Sequence, residues 1–307
     1  MTTVSGALPE TVCSAFGDLM KQIFALCLIL VTAVAMFAGC IGSNTTESDK
    51  EPVTYVILDE ALAPESYGVG MRNDDIALAA AVQKALDDMS ADGTAAAISE
   101  KWFGEDLFLH DADWVEGELI PAEDDTSLQY ILDRKYMIVG LDDSFPPMGF
   151  RDEKTNEIVG FDIDLAKEVG KRLGVEVRFQ PIDWSAKEME LSQKKIDMIW
   201  NGMTITDERV ANMAFGKPYI ENSQVVVVAS DSGIKNLSDL KGKVIGVQRG
   251  SSAVDAIDAN PELKATFKEQ VEYDTNLNAY LDLKAGRVDA VVMDIIVAGY
   301  IISTDSA

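Results

Sequence analysis

MIVGLDDSFPPMGF at residues 137–150 and VGFDIDLAKEVGKRLGV at residues 159–175 set a short apolar strand before an amphipathic helix. Residues 137–141 are apolar and end at Asp142-Asp143-Ser144, a turn signal. Phe161, Leu165, Val169 and Leu173 recur every four residues and mark one face of a helix. Glu168 and Arg172 stand four apart on its outer face, where opposite charges pair. The alternation continues with strands at 175–179, 196–200, 224–229 (QVVVVA), 244–247 and 288–293. Helices open at Ser251 and run around Leu277, Tyr280, Leu281 and Lys284. Strands alternating with helices imply an α/β fold with mostly parallel strands. Upstream, residues 53–58 and 67–71 read as extended. Residues 75–89 read as a helix with Leu78, Val82, Leu86 and Met89 on one face. Asp92-Gly93 breaks that helix, and a second runs to about Lys101.

The chain has 307 residues, 47% of them hydrophobic, enough for one or two domains with a sizeable core. A net charge of −26 lacks the basic footprint of a nucleic-acid binder. One histidine, His110, and three cysteines, Cys13, Cys27 and Cys40, leave no His-rich or Cys-rich metal site. No cofactor is expected. Residues 23–38 are uncharged, short for a spanning helix, and fit the apolar centre of a secretory signal. Phe37-Ala38-Gly39-Cys40 resembles a lipobox, in which Cys40 is lipidated and becomes the mature N-terminus; an uncleaved membrane anchor is the plainer alternative. Residues 1–40 are thus read as a signal peptide whose true start is Met20. Residues 41–52 are polar and turn-rich and read as a tether.

The order of the motifs points further. Residues 137–150 and 159–175 are followed by WNGMTITDER at 200–209 and GKVIGVQRGSS at 242–252. In that order the chain resembles the polar-amino-acid substrate-binding proteins of ABC transporters, solute-binding protein family 3. YGVGMRNDDIALAAAVQKALDDMSADGTAAAISEKWFGED at 67–106 resembles that family's C-terminal helices, yet precedes the rest. The resemblance implies a two-lobed periplasmic-binding-protein type II fold in circularly permuted order. Residues 67–110 and 129–223 would form lobe 1. Residues 53–66 and 230–307 would form lobe 2. Residues 111–128 would be an acidic linker, and 224–229 and 67–71 the hinge crossings.

An α-amino acid needs a cation and amide donors for its carboxylate, an acceptor for its ammonium, and a selective wall. Thr206 is a candidate N-cap that places Arg209 one turn into a helix, where a guanidinium can grip a carboxylate through two hydrogen bonds. The plainer role is a surface arginine paired with Asp207 or Glu208. The resemblance favours carboxylate binding, with a hydroxyl from Thr204 beside it and a carbonyl from Gly202 for the ammonium. Ser251 and Ser252, after Gln248-Arg249-Gly250, open a helix and would complete that seat from lobe 2. Asp294 ends a strand and starts a helix; alone it reads as an N-cap, and the resemblance assigns it to the ligand ammonium. Phe145 and Trp184 sit in loops and would sandwich the ligand or simply pack. Asp142 matches a family aspartate that meets a side-chain nitrogen. Gln248 stands where relatives differ, which leaves glutamine, a basic amino acid or cystine as candidate ligands.

The expected partners are therefore a polar amino acid and a membrane permease, at an extracytoplasmic, lipid-anchored location. The chain is expected to be a monomer, with exchange of residues 53–110 between two copies as the alternative. Two other function classes use this fold: an enzyme such as a dehydratase, which needs a general acid near the leaving group, and a ligand-sensing module.

Overall fold

The computed structural model of the chain describes residues 53–305. The signal peptide, the Met20 start, Cys40 and the tether lie outside the described residues. In chain order the strands are β1 (Tyr55–Ile57), β2 (Ala63–Tyr67), β3 (Gly70–Arg72), β4 (Tyr136–Leu141), β5 (Ser144–Phe145), β6 (Gly149–Arg151) and β7 (Ile158–Val159). They continue with β8 (Glu176–Pro181), β9 (Met198–Ile199), β10 (Met213–Ala214), β11 (Ile220–Ala229), β12 (Val244–Gln248), β13 (Glu269–Tyr273) and β14 (Ala290–Asp294). The α-helices are α1 (Ile76–Ala91), α2 (Thr94–Phe103), α3 (Ser127–Arg134), α4 (Phe161–Leu173) and α5 (Lys187–Ser192). After them come α6 (Asp207–Asn212), α7 (Ser252–Asp258), α8 (Pro261–Lys264), α9 (Asn276–Lys284) and α10 (Ile295–Asp305).

Two sheets organise these elements. Lobe 1 holds a five-stranded sheet in the order β10-β3-β9-β4-β8, and lobe 2 a six-stranded sheet in the order β1-β11-β14-β12-β13, with β2 also on β11. A small sheet, β5-β6-β7, carries the loop after β4. Parallel pairing joins β4 to β8 and β9, and β12 to β13 and β14. The pairs made by β1, β2, β3, β10 and β11 are antiparallel, so parallel strands are fewer than the sequence pattern implies. The reason is local. Crossover helices force parallel neighbours, whereas β2–β3 and β10–β11 are the two stretches that pass from one sheet to the other, and they run antiparallel.

Each sheet buries both faces. The run Val225-Val226-Val227-Val228 is fully apolar because alternate residues enter different cores. Val225 and Val227 join the large cluster with Val291 and Met293; Val226 and Val228 pack with Ile245, Val247 and Val292. α4 forms where the four-residue spacing places it, its Glu168–Arg172 pair at 3.0 Å. Gly174 closes it in a left-handed conformation. Phe161 at its start is fully buried against Phe103 and Tyr219.

The early segment supplies strands to both sheets. β3 sits between β9 and β10, while β1 and β2 pair with β11. Residues 224–229, expected as a crossing, pair with β1 and β14 inside the six-stranded sheet. The paired stretch nearest the crossing is 63–67 against 220–224. The acidic stretch after Phe103 has no strand and no helix before α3, and it is fastened down. Leu109 and Val115 donate backbone bonds to Tyr219 and Gly216, and Asp125 accepts from the amides of Ala77 and Ser127. No helix among the described residues is long and apolar enough to cross a membrane.

Candidate functional site

Phe145, Trp184, Gly202, Thr204, Arg209, Gln248, Ser251, Ser252 and Asp294 line one nearly closed cleft of about 10 Å³ between the two sheets. These are nine of the ten ligand-site residues expected from the sequence. The tenth, Asp142, is buried beside it and accepts from Gln248 Nε2 at 2.7 Å. A wider groove of about 490 Å³ lies on lobe 2 beside Tyr273 and Leu281. Its arginines are committed, Arg249 to Asp274 and Glu272 and Arg287 to Asp282, so it offers no unpaired charge.

Local sequence explains the placement. Thr206 caps α6 by accepting from the Arg209 amide at 3.2 Å, which turns the arginine side chain inward. Arg209 is 6% exposed. Nη1 donates to the Thr204 carbonyl at 2.8 Å, and no carboxylate among the described residues forms an ion pair with it. The alternative pairing with Asp207 or Glu208 does not occur. Burial lowers the pKa of this guanidinium, so its charge is held against the cost of desolvation. Gly202 adopts φ +57, and a Cβ there would meet Phe145 at 2.6 Å and Tyr67 at 3.0 Å. Its amide donates to the buried carboxylate of Asp162 at 2.7 Å, which also accepts from Tyr219. Burial pushes Asp162 up to about 7.

Lobe 2 closes on these groups. Ser252 Oγ lies 3.0 Å from Thr204 Oγ1, and Ser251 Oγ donates to the Gln248 carbonyl. Gln248 is held from both sides: Nε2 also donates to the Asp274 carbonyl, and Asn276 donates to Oε1. Burial raises the Asp142 carboxyl. Asp294 accepts from Tyr67 Oη at 2.6 Å, Asn222 Nδ2 at 2.7 Å and Gln224 Nε2 at 2.9 Å. Burial first and the Glu65 charge second push it up to about 7.

Sequence reasoning missed two residues here. Lys187, 2% exposed, donates to the Gly250 carbonyl at 2.8 Å and lies 5.1 Å from the Trp184 ring. Burial, then the Arg209 charge, lower it to about 8. Gly250 itself has φ +68, and a Cβ would sit 3.0 Å from Ser185 Cα, so this turn is pressed against lobe 1. The signal was legible: Lys187 and buried Leu191 are four apart on one face of α5. Glu65 is the second. It alternates with Ala63 and buried Tyr67, which assigns it to the site face of β2.

The arrangement offers a fixed guanidinium, hydroxyls from both lobes, a carboxylate cluster and two aromatic walls. Those groups can hold a small zwitterion.

Comparison with known proteins agrees in kind. The L-cystine-binding protein TcyJ of Escherichia coli K12 is 33% identical over 173 residues, 56% of this chain and 63% of that protein. The ABC transporter arginine-binding protein 1 of the same organism is 43% identical over 140 residues, 45% of this chain and 55% of that protein. The chain thus spans less than two thirds of the length of these curated relatives. Among solved structures, an ABC uptake transporter substrate-binding protein from Streptococcus pneumoniae with bound histidine is 40% identical. It superposes with a TM-score of 0.58 over 61% of this chain and 76% of that one. An ancestral amino acid-binding protein described as a precursor of cyclohexadienyl dehydratase is 34% identical, with a TM-score of 0.54 over 58% of this chain and 78% of that one. The family model for bacterial extracellular solute-binding proteins, family 3, matches residues 15–105 and 137–282, and the chain belongs to that family.

Proposed function

We propose that this chain is an extracytoplasmic receptor that binds a polar L-amino acid in the interlobe cleft and delivers it to an ABC importer. The observation that carries the reading is Arg209, a buried guanidinium on the cleft wall that forms no ion pair with a described residue. A ligand carboxylate supplies the missing partner through two charge-assisted bonds. Thr204, Ser251 and Ser252 add hydroxyl contacts, Asp294 and the Gly202 carbonyl take the ammonium, and Phe145 and Trp184 flank the side chain. Asp142 and Gln248, bonded to each other, would read a polar or cationic end. The relatives' names point the same way, since they bind cystine, arginine and histidine.

Lipid anchoring through Cys40 and the permuted chain order belong to the same proposal. The order is supported by the entry of β1, β2 and β3 into sheets whose other strands lie at 136–294. A thermal-shift screen of the chain against the twenty amino acids, cystine and ornithine tests the receptor reading. A ligand at a hundred times its dissociation constant stabilises by about 2.7 kcal/mol. The result that sinks the proposal is a sharp transition that no amino acid moves. Turnover is assayed in the same samples, because one solved neighbour is a dehydratase precursor. Loss of the added amino acid would transfer the chain to the enzyme class.

A further inference from the structure

Glu65 and Asp294 reach the same two amides. In the β2–β11 register Glu65 stands opposite Asn222, and in the β11–β14 register Asp294 stands opposite Gln224. Asn222 and Gln224 are two apart on β11 and so share a face. Asn222 Nδ2 donates to Glu65 Oε2 at 3.0 Å and to Asp294 Oδ1 at 2.7 Å. Gln224 Nε2 donates to the same two oxygens at 3.0 and 2.9 Å. Glu65 Oε2 also takes Thr204 Oγ1 at 3.0 Å and Ser252 Oγ at 3.3 Å, the hydroxyls of both lobes that line the cleft. Neither carboxylate forms an ion pair with a described residue. The acceptor oxygens of Asn222 and Gln224 are buried and without a partner.

We propose that Glu65 belongs to the ammonium seat, and that its charge keeps a proton on Asp294 which is released to solvent when a primary ammonium docks. This rests on the receptor reading above and adds to it a residue and a proton linkage. The physical argument is repulsion. Two carboxylates on common donors inside a protein cannot both ionise cheaply. Burial and the Glu65 charge raise Asp294 accordingly. The groups facing the pair are Tyr67 from β2, Thr204 after β9, Arg209 from α6, Asn222 and Gln224 from β11, and Ser252 from α7. Of these only Arg209 carries charge, and its field reaches both carboxylates. A docked ammonium brings a positive charge and N–H donors to the pair, so the proton leaves as the cation arrives. No covalent bond changes.

The test is calorimetric titration of the full chain with L-arginine in phosphate and in Tris, which differ in ionisation enthalpy. With a group near 7, the wild type should release roughly half a proton at pH 7, and binding at pH 6 should be roughly tenfold weaker than at pH 8. Glu65→Gln should release less than half as much and flatten that pH dependence to about threefold or less. A merely structural glutamate would alter affinity without altering the proton count. The proposal is overturned if the wild type binds without releasing a proton, or if Glu65→Gln releases as many as the wild type.

If the wild type binds neither L-arginine nor any amino acid of the screen, the receptor reading fails and the pair is judged on the ligand-free chain. The Asp294 carboxyl is raised above the unfolded value, so the melting temperature should fall as pH rises toward 7, and fall less in Glu65→Gln and Asp294→Asn. Identical profiles for all three would overturn the pair.

Discussion

Replacing Arg209 by methionine should separate binding from stability. The methionine keeps the length and apolar bulk of the side chain and removes the guanidinium. On the binding side, the arginine can give a ligand carboxylate two charge-assisted hydrogen bonds, each worth about 1.5–3 kcal/mol. Their loss totals about 3–6 kcal/mol, so affinity should fall roughly 10²- to 10⁴-fold. On the stability side two effects oppose one another. The Nη1 bond to the Thr204 carbonyl disappears, which costs about 1.5–3 kcal/mol. Burial of a cation that has no ion-pair partner among the described residues also disappears, and that burial is what lowers the arginine's pKa. The net change in the ligand-free chain should stay within about 1 kcal/mol, a shift of about 2–4 °C. Calorimetry with the amino acid that shifts the wild type most, and melts without ligand, read the two quantities. A variant that binds within tenfold of the wild type, or that loses stability and affinity together, refutes the assignment of Arg209 to the ligand. Arg209→Lys keeps the charge without the planar fork and should recover only part of the affinity.

Gly250→Ala forces a Cβ onto a left-handed residue at 3.0 Å from Ser185 Cα; ligand release should quicken roughly tenfold, as followed by stopped flow, for a strain of about 1–2 kcal/mol. Lys187→Met exchanges a buried ammonium, charged at a cost of about 3 kcal/mol for a pKa lowered to about 8, against one charged hydrogen bond of about 1.5–3 kcal/mol. Its melting temperature at pH 7 should therefore differ little from the wild type's. Because that lysine is lowered on folding, the unfolded chain binds more protons between about pH 8 and 10.5. The wild type should thus gain stability over that range and Lys187→Met should gain less, which paired melts at pH 7.5 and 10 would show. Phe161→Ala empties a fully buried ring position between Phe103 and Tyr219 and should cost about 3–5 kcal/mol by denaturant titration.

Periodicity told most of the fold. Phe161, Leu165, Val169 and Leu173 define a helix because nothing else buries residues four apart, and α4 begins and ends where they do. QVVVVA was legible as an apolar strand, and its burial on both faces came only with the structure. That it starts four residues earlier, at Ile220, was not, because Glu221, Asn222 and Ser223 are polar. They are strand because β2 pairs with them and because Asn222 turns toward carboxylates rather than water. Arg209 was found through its cap and its motif. Lys187 and Glu65 were passed over because a lysine and a glutamate read as surface residues by type. Only the face each occupies, set by Leu191 for one and Tyr67 for the other, gives them away. The antiparallel share of both sheets was hidden for another reason. Pairing direction depends on which strands pass between the lobes, and that is a property of the closed structure rather than of any local window.

The position of β1, β2 and β3 has a consequence for how the chain is made. Every strand contributed before residue 73 finds its sheet partner only after residue 197, and β1 must wait for Val227 to Ala229. During synthesis these strands emerge first and stay unpaired while more than half of the chain is still to come. Neither sheet can be completed by an N-terminal fragment. Pairings so distant in sequence carry a large loop-closure cost and slow folding. A nascent chain of this order leaves apolar strand edges exposed for most of its elongation, so its yield should depend on holding those edges apart until the last third is delivered.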